Sequence, residues 1–495
     1  MELILRDYQH NVINKARESL KKGNKRIIIQ AEVGVGKTVV ATAIMKSIVE
    51  NNKRVLFLAP RRQLIYQTVE TLKDYGLNCG VIMAGEMPFS QPRIQVGSFD
   101  TITSRIASGR MLNPDASVVI VDEAHMAVTP ARIKLLNNYP LVLALTATPA
   151  LANGKGLGFF YQDIVETQSF AEMVKQKHLV PFRYFIGNAP DLSNVPLDKD
   201  GDYKESALAI ANDQPTLIGD IYKNWKRIAS DRTTLIFAVN RKHAQHIANE
   251  FKSHGVSTDY IDGLTPPEER ERIRLDVESG KTQVIVNIGV MIAGVNWPRI
   301  SCIVMARQTR NICTWRQCLG RGSRLYPMKK DTICIYHGSN FEELGAMDDP
   351  IEWCLDDKTT VKERKEKAKK DQKEPKDITC KNPNCGYVFK SSRTCPKCGH
   401  EMIAKGKPIP VHQADLVEVV PAAKIKPVDK ERFYAELLGY ARNHKKSNSF
   451  ALAVFHNKFG SWPYGKNSIE PVTPSPETLV YIKHTQIAYS RRRAA

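Results

Sequence analysis

At 495 residues the chain is long enough for three or four domains and can bury real cores. Its 42% hydrophobic content is ordinary, no apolar run approaches the ~18 residues of a membrane span, and the start MELILRDYQH lacks the basic and apolar order of a secretory signal. No membrane partner and a cytoplasmic home are therefore expected, while 72 Lys and Arg against 52 Asp and Glu give a net charge of +20, which suits a polyanion, most simply nucleic acid.

Short β-branched runs alternate with helical stretches from the start of the chain, the signature of a parallel sheet wrapped by helices. Ile27–Gln30, Val55–Ala59, Ile94–Ser98, Val118–Asp122 and Leu141–Leu145 are predicted strands of a first α/β domain over residues 1–180. In such sheets ligands bind beyond the carboxyl ends of the strands, and the first chemical motifs fall there. Ala31-Glu32-Val33-Gly34-Val35-Gly36-Lys37-Thr38 lies between a strand and a helix, as a phosphate loop requires. Gly34 and Gly36 let backbone N–H groups face phosphates, Lys37 reaches the β and γ phosphates, and Thr38 is assigned to Mg²⁺. Asp122-Glu123-Ala124-His125 ends the apolar run VVIV, so two carboxylates emerge at the same sheet edge. Asp122 is assigned to Mg²⁺ and Glu123 to orienting or deprotonating the attacking water.

Residues 181–230 weaken into NAPDLSNVPLDKDGDY and a helix through Ile218–Ile228, read as an inter-domain bridge. A second α/β series fills residues 231–357, with strand LIFAV, helix Arg241–His254, and strands Thr258–Ile261, Val284–Asn287, Cys302–Ala306 and Ile333–Tyr336. Thr265 is predicted to cap a helix that has Pro266 at its first position and Glu268 completing a capping box. Within residues 358–376, read as a charged linker, the run VKERKEKAKKDQKEPK is expected to be a solvated helix or tether. Cys380, Cys385, Cys395 and Cys398 then supply two short knuckles that fit a four-thiolate Zn²⁺ ribbon over residues 377–402. Residues 403–495 carry 15 Lys and Arg against 7 Asp and Glu yet keep Phe433, Leu437, Leu438, Phe450, Phe455, Phe459 and Trp462, so a small folded basic domain is expected.

AEVGVGKT, DEAH and Thr146-Ala147-Thr148 resemble motifs I, II and III of superfamily-2 DEAD/DEAH-type helicases. Gln317-Cys318-Leu319-Gly320-Arg321-Gly322-Ser323-Arg324 resembles their motif VI, QxxGRxxR. The resemblance implies two tandem RecA-like parallel-sheet domains, a nucleic-acid-stimulated ATPase, and Gln317, Arg321 and Arg324 in the catalytic set, the arginines as fingers on the γ-phosphate. Three residues apart on a helix, both arginines would enter one cleft. Leu5-Arg6-Asp7-Tyr8-Gln9 resembles the element ahead of motif I that reads adenine, which implies Arg6 and Gln9 at the base and ATP as the nucleotide.

Pro60-Arg61-Arg62-Gln63-Leu64 and Gly97-Ser98-Phe99-Asp100-Thr101 are similar to motifs Ia and Ib, and Leu235-Ile236-Phe237-Ala238 to motif IV. Nucleic-acid contacts are thereby implied for Arg61, Arg62, Gln63, Ser98, Thr101 and Arg241. Ala293-Gly294-Val295-Asn296 stands where motif V often reads EGFD, leaving Gly294 and Asn296 on the nucleotide side without the two acids. His125, Thr146 and Thr148 are implied to couple nucleotide state to movement.

The order of motor, charged linker, zinc ribbon and basic tail, with the phrases DPIEWCLDD and KFGSWP, most resembles the RadD family of bacterial and phage-encoded DNA-repair helicases. That implies single-stranded or branched DNA as partner, work in repair, recombination or replication, and association with a nucleoid. The zinc ribbon or C-terminal domain is open as the seat of a protein partner. Two alternatives stay open: a translocase on duplex DNA that does not separate strands, and an ATP-gated binding protein that recruits a partner.

Overall fold

The computed structural model describes residues 3–86, 92–187, 189–292, 296–361 and 363–364, then 377–379, 388–390, 417–419, 427–444, 446–459 and short pieces up to Ile482. The chain divides into two compact units, residues 1–362 and 363–495. Among the described residues no helix is long and apolar enough to cross a membrane.

The first sheet contains β1 (Arg26–Gln30), β2 (Val55–Ala59), β3 (Cys79–Ile82), β4 (Ile94–Ser98), β5 (Val118–Asp122), β6 (Val142–Thr146) and β7 (Asp163–Glu166). Its order is β3-β4-β2-β5-β6-β1-β7, with parallel pairing throughout. Successive strand residues feed opposite faces, as a period of two requires. Ile27, Ile29, Phe57 and Ile120 pack with Val12, Ile13, Val40 and Ile44 on one side, while Ile28, Leu56, Val119 and Val121 pack with Phe99, Ile102 and Leu136 on the other. Both faces being covered, the strands read as continuous apolar runs. For function the order matters most: β5, β6 and β1 are neighbours, so the segments leaving their carboxyl ends share one rim.

The second lobe repeats the plan with β8 (Phe182–Ile186), β9 (Thr234–Phe237), β10 (Thr258–Ile261), β11 (Val284–Asn287), β12 (Cys302–Met305) and β13 (Thr332–Tyr336). These run parallel in the order β10-β11-β9-β12-β13-β8. β8 corrects the expected bridge, because Phe182–Ile186 pairs with Thr332–Tyr336 and belongs to this lobe. The reason is aromatic burial: Phe182, Tyr184 and Phe185 are buried in a segment whose following polar stretch hid the strand. The rest of that region forms helices Glu205–Asn212 and Pro215–Ala229, the second anchored by Trp225, whose indole donates to Thr234 Oγ1 at 2.8 Å. Nor does Thr265 cap the next helix. That helix is Pro267–Ser279 with Pro266 at the cap position, and the Thr265 hydroxyl instead accepts the Asp262 amide at 2.9 Å.

His243, buried on the helix Arg241–Ser253, accepts the Val239 amide at Nδ1 at 3.3 Å. Burial lowers its pKa to about 4, with Asp213 opposing and His246 and His337 assisting. The folded pKa lies below the unfolded one, so this contribution to stability is complete above the unfolded value of about 6.5 and is lost as pH falls toward 4. Denaturant unfolding at pH 7 and pH 4.5 is expected to show a smaller pH dependence in His243→Gln than in the parent, by up to about 3 kcal/mol. Equal pH dependence would remove His243 from the account.

In the second unit the helices Pro427–Asn443 and Asn448–Phe459 share a core of Phe433, Tyr434, Leu437, Ala451, Val454 and Phe455. Buried Glu436 accepts the Ser475 amide at 3.1 Å and its hydroxyl at 2.6 Å, tying the following segment to this hairpin. Strands Asp377–Thr379 and Val388–Lys390 pair antiparallel. Cys380, Cys385, Cys395, Cys398, Trp462 and Gly294 lie outside the described residues.

Candidate active site

β1 ends in the phosphate loop and β5 ends in Asp122 and Glu123, while β6, hydrogen-bonded to both strands, ends in Thr146 and leads to Thr148. Gly34 and Gly36 have φ of 92° and 85°, values that favour glycine, and Gly36 occupies the cap position of the helix Lys37–Glu50. This is a loop whose amides and helix N-terminus suit phosphate, with Lys37 and Thr38 opening the helix. Gln9 braces it: the carboxamide nitrogen donates to the Val35 carbonyl at 3.2 Å and the oxygen accepts the Arg6 amide at 3.0 Å.

Glu123 has φ 54°, a left-handed conformation that costs a residue other than glycine on the order of 1 kcal/mol or more. Its amide donates to Asp122 Oδ1 at 3.0 Å. Burial, then the charge of Glu123, raises the Asp122 pKa against the pull of Lys37 and Arg321. Burial also opposes ionisation of Glu123, but Lys37, His125, Arg321 and Arg61 together hold its carboxyl below the usual range. Lys37 and Arg321, from opposite lobes, thus act on the same two carboxylates.

Burial lowers the His125 pKa, with Glu123 opposing and Lys37 and Arg61 adding to the effect. Its Nε2 faces the Gln317 carboxamide nitrogen at 3.5 Å, a donor, and therefore accepts. Nδ1 then carries the proton toward Thr146 Oγ1 at 3.3 Å, and that hydroxyl donates to Glu123 Oε2 at 3.5 Å. Gln317 also donates to Thr148 Oγ1 at 3.3 Å. A chain of polar contacts therefore links the second lobe to the carboxylate assigned to water.

The helix bearing Gln317 ends at Leu319, so Arg321 and Arg324 stand on the turn after it and not on a helix face as expected. The turn brings the Arg321 charge to bear on Asp122 and Glu123. Arg321 Nη2 donates to the Ile292 carbonyl at 2.8 Å. Arg324 lies against the phosphate loop, its Cγ 3.3 Å from where a Cβ on Gly34 would sit. Burial lowers the pKa of both arginines, and the charge of Arg321 adds to the effect on Arg324. A guanidinium stays protonated, so the pair is a concentration of positive charge suited to polyphosphate.

The residues expected at nucleic acid divide. Arg61 turns into the cleft: β2 neighbours β5, and from the end of β2 its guanidinium acts on Glu123 and reaches the Gly289 carbonyl of the second lobe at 3.5 Å. Arg62 is exposed and Gln63 half-buried. Ser98 caps the helix Phe99–Ala107, and the Thr101 hydroxyl accepts the Ala84 amide at 3.2 Å. Arg241 is exposed but paired with Asp262 at 2.7 Å. Asn296 is exposed.

Sequence reasoning missed Glu32 and Arg316 as a pair. Both are buried, and Arg316 Nη2 donates to the two Glu32 oxygens at 3.1 and 3.2 Å across the interlobe cleft. The available signal was an acid inside an anion-binding loop, which calls for a cation nearby.

Two parallel-sheet lobes meeting at a phosphate loop, paired carboxylates and arginines are the arrangement expected of the RecA-like, superfamily-2 class. Residues 2–151 match the family model of the type III restriction enzyme res subunit, and residues 216–326 that of the helicase conserved C-terminal domain. A 51.5 kDa protein of a Lactococcus phage is 25% identical over 81% of this chain and 83% of its own length. Irc3 of Saccharomyces cerevisiae, described as an ATP-dependent helicase, is 28% identical over 66% of this chain, which spans 50% of the Irc3 length. A fragment of an HsdR subunit of a type I restriction enzyme from Vibrio vulnificus shares the fold, with a TM-score of 0.55 and 20% identity over 70% of this chain and 67% of that one. The two matched models are the two halves of a superfamily-2 helicase, and with the named helicase relatives they support an ATP-dependent, helicase-type activity on nucleic acid.

Proposed function

We propose that the chain hydrolyses ATP to move along DNA and separate its strands in repair, recombination or replication, as a cytoplasmic relative of the RadD family. The observation that carries this reading is the meeting of Lys37, Asp122, Glu123, Arg321 and Arg324 on one interlobe cleft. The net charge of +20 and the likeness to restriction-enzyme subunits support DNA as the track.

The mechanism follows from the residues. The loop amides, Lys37, Arg321 and Arg324 hold the triphosphate, and ionised Glu123 orients the attacking water and takes its proton. Mg²⁺ held by Thr38 and Asp122 would neutralise phosphate charge during transfer. The relay through Thr146, His125 and Gln317 reports the state of that carboxylate to the second lobe. Parting of the lobes after phosphate release would advance them along a strand.

The restriction-subunit likeness favours one second reading, translocation on duplex DNA without strand separation. A labelled fork and a blunt duplex carrying a bound protein distinguish the two, with Lys37→Ala as the inactive control. Fork unwinding supports the proposal; stripping of the bound protein without unwinding supports the second reading. If neither depends on ATP, both fail and ATP-gated recruitment takes their place.

For the zinc ribbon, the four-thiol donor set of Cys380, Cys385, Cys395 and Cys398 is the supporting chemistry, and the module is proposed as a seat for DNA or a protein partner. Metal analysis of purified protein is expected to find about one zinc per chain, and Cys395→Ser with Cys398→Ser is expected to lose it. A parent chain without bound zinc would contradict this.

A further inference from the structure

The phosphate loop meets the second lobe along a seam that none of its phosphate-binding duties requires. Three consecutive loop residues face four positions of the other lobe. The Glu32 carboxylate accepts two bonds from Arg316, at 3.1 and 3.2 Å. Val33 packs against Gly320, where a Cβ would fall 2.3 Å from the valine Cβ, and its carbonyl accepts the Ser323 hydroxyl at 3.2 Å. Gly34 lies against Ser323 and Arg324. The same Arg316 Nη2 also donates to the Met347 carbonyl at 3.2 Å.

The chemistry of Glu32 is otherwise adverse. A carboxylate in an anion-binding loop repels phosphate, and burying it is costly unless a cation compensates. Arg316 supplies that cation from 284 positions away, immediately before Gln317 and five residues before Arg321. Both partners are at most 5% exposed, so neither charge is answered by water.

We propose that Glu32 and Arg316 are an interlobe positioning pair, which sets the register in which Arg321 and Arg324 meet the phosphate loop without itself touching ATP. This rests on the ATP-driven reading above. Hydrolysis needs the arginines placed to within an ångström or so, and a slipped register costs about 10- to 100-fold in rate. Nucleotide binding depends mainly on the loop amides and Lys37, so the loss falls on kcat more than on KM.

The test is a double-mutant cycle with Glu32→Gln and Arg316→Gln, following DNA-stimulated ATP turnover and KM, together with hydrogen exchange of nucleotide-free protein. Each single variant is expected to lower kcat about 10- to 100-fold with KM little changed, and the double variant to lose no more than the worse single one. Exchange at residues 316–324 is expected to quicken in Glu32→Gln, although the substitution lies in the other lobe. Additive losses, a defect confined to KM in Arg316→Gln with Glu32→Gln silent, or unchanged exchange would each overturn the pair. Should a single variant fail to fold, Glu32→Asp keeps the charge but shortens its reach: reduced kcat at unchanged KM is expected, and parental kcat overturns the proposal. A parent chain without ATP turnover would sink the ATP-driven reading, and the exchange experiment then judges the pair alone.

Discussion

Arg321→Ala and Arg324→Ala are each expected to slow ATP hydrolysis about 10³-fold or more, with nucleotide binding weakened far less. The loss is large because charge develops on the transferred phosphoryl group in a cleft where water is scarce, and a guanidinium already in place answers it without reorganisation. Arg324 stands against Gly34 of the phosphate loop, and Arg321 lowers the pKa of Glu123 from across the cleft. Lysine substitutions should recover little, since the ammonium lacks the planar fork. Steady-state kcat alongside equilibrium binding of a fluorescent ATP analogue makes the check. Turnover within a few-fold of the parent in either variant would place that arginine outside the reaction.

Glu123→Gln is expected to lower turnover about 10²- to 10⁴-fold while leaving ATP bound, because the amide keeps the shape but cannot accept the water's proton. The strained backbone at φ 54° and the contact with Thr146 Oγ1 at 3.5 Å fix where that side chain points, so the variant isolates protonation from placement. A burst-free, slow hydrolysis with parental ATP affinity is the expected signature. If Glu123→Gln turns over like the parent while Asp122→Asn does not, the roles assigned to the two carboxylates are exchanged.

What the sequence showed, and what it hid, follows from distance along the chain. The phosphate loop, the Asp122–Glu123 pair and most strands are local patterns: an apolar run, a glycine pair, two acids at a strand end. β8 was hidden because five residues beside a proline and a polar stretch carry no period of their own, and only pairing with β13 makes them a strand. Arg61 was expected at nucleic acid, and the adjacency of β2 and β5, which no local pattern shows, turns it toward Glu123. The close approach of Gly320 to Val33, just past the helix end at Leu319, is likewise a contact between lobes that no local pattern shows. Glu32 and Arg316 show the same limit, since neither residue alone announces a partner in the other lobe.

The most direct test compares the ATPase rate of the full chain with single-stranded DNA, duplex DNA, forked DNA and RNA at one stated salt concentration, because backbone affinity changes steeply with salt. A site completed by both lobes and driven by a DNA track predicts strong stimulation by single-stranded or forked DNA and a fall in that stimulation as salt rises. A rate indifferent to every nucleic acid, at any salt, would contradict it.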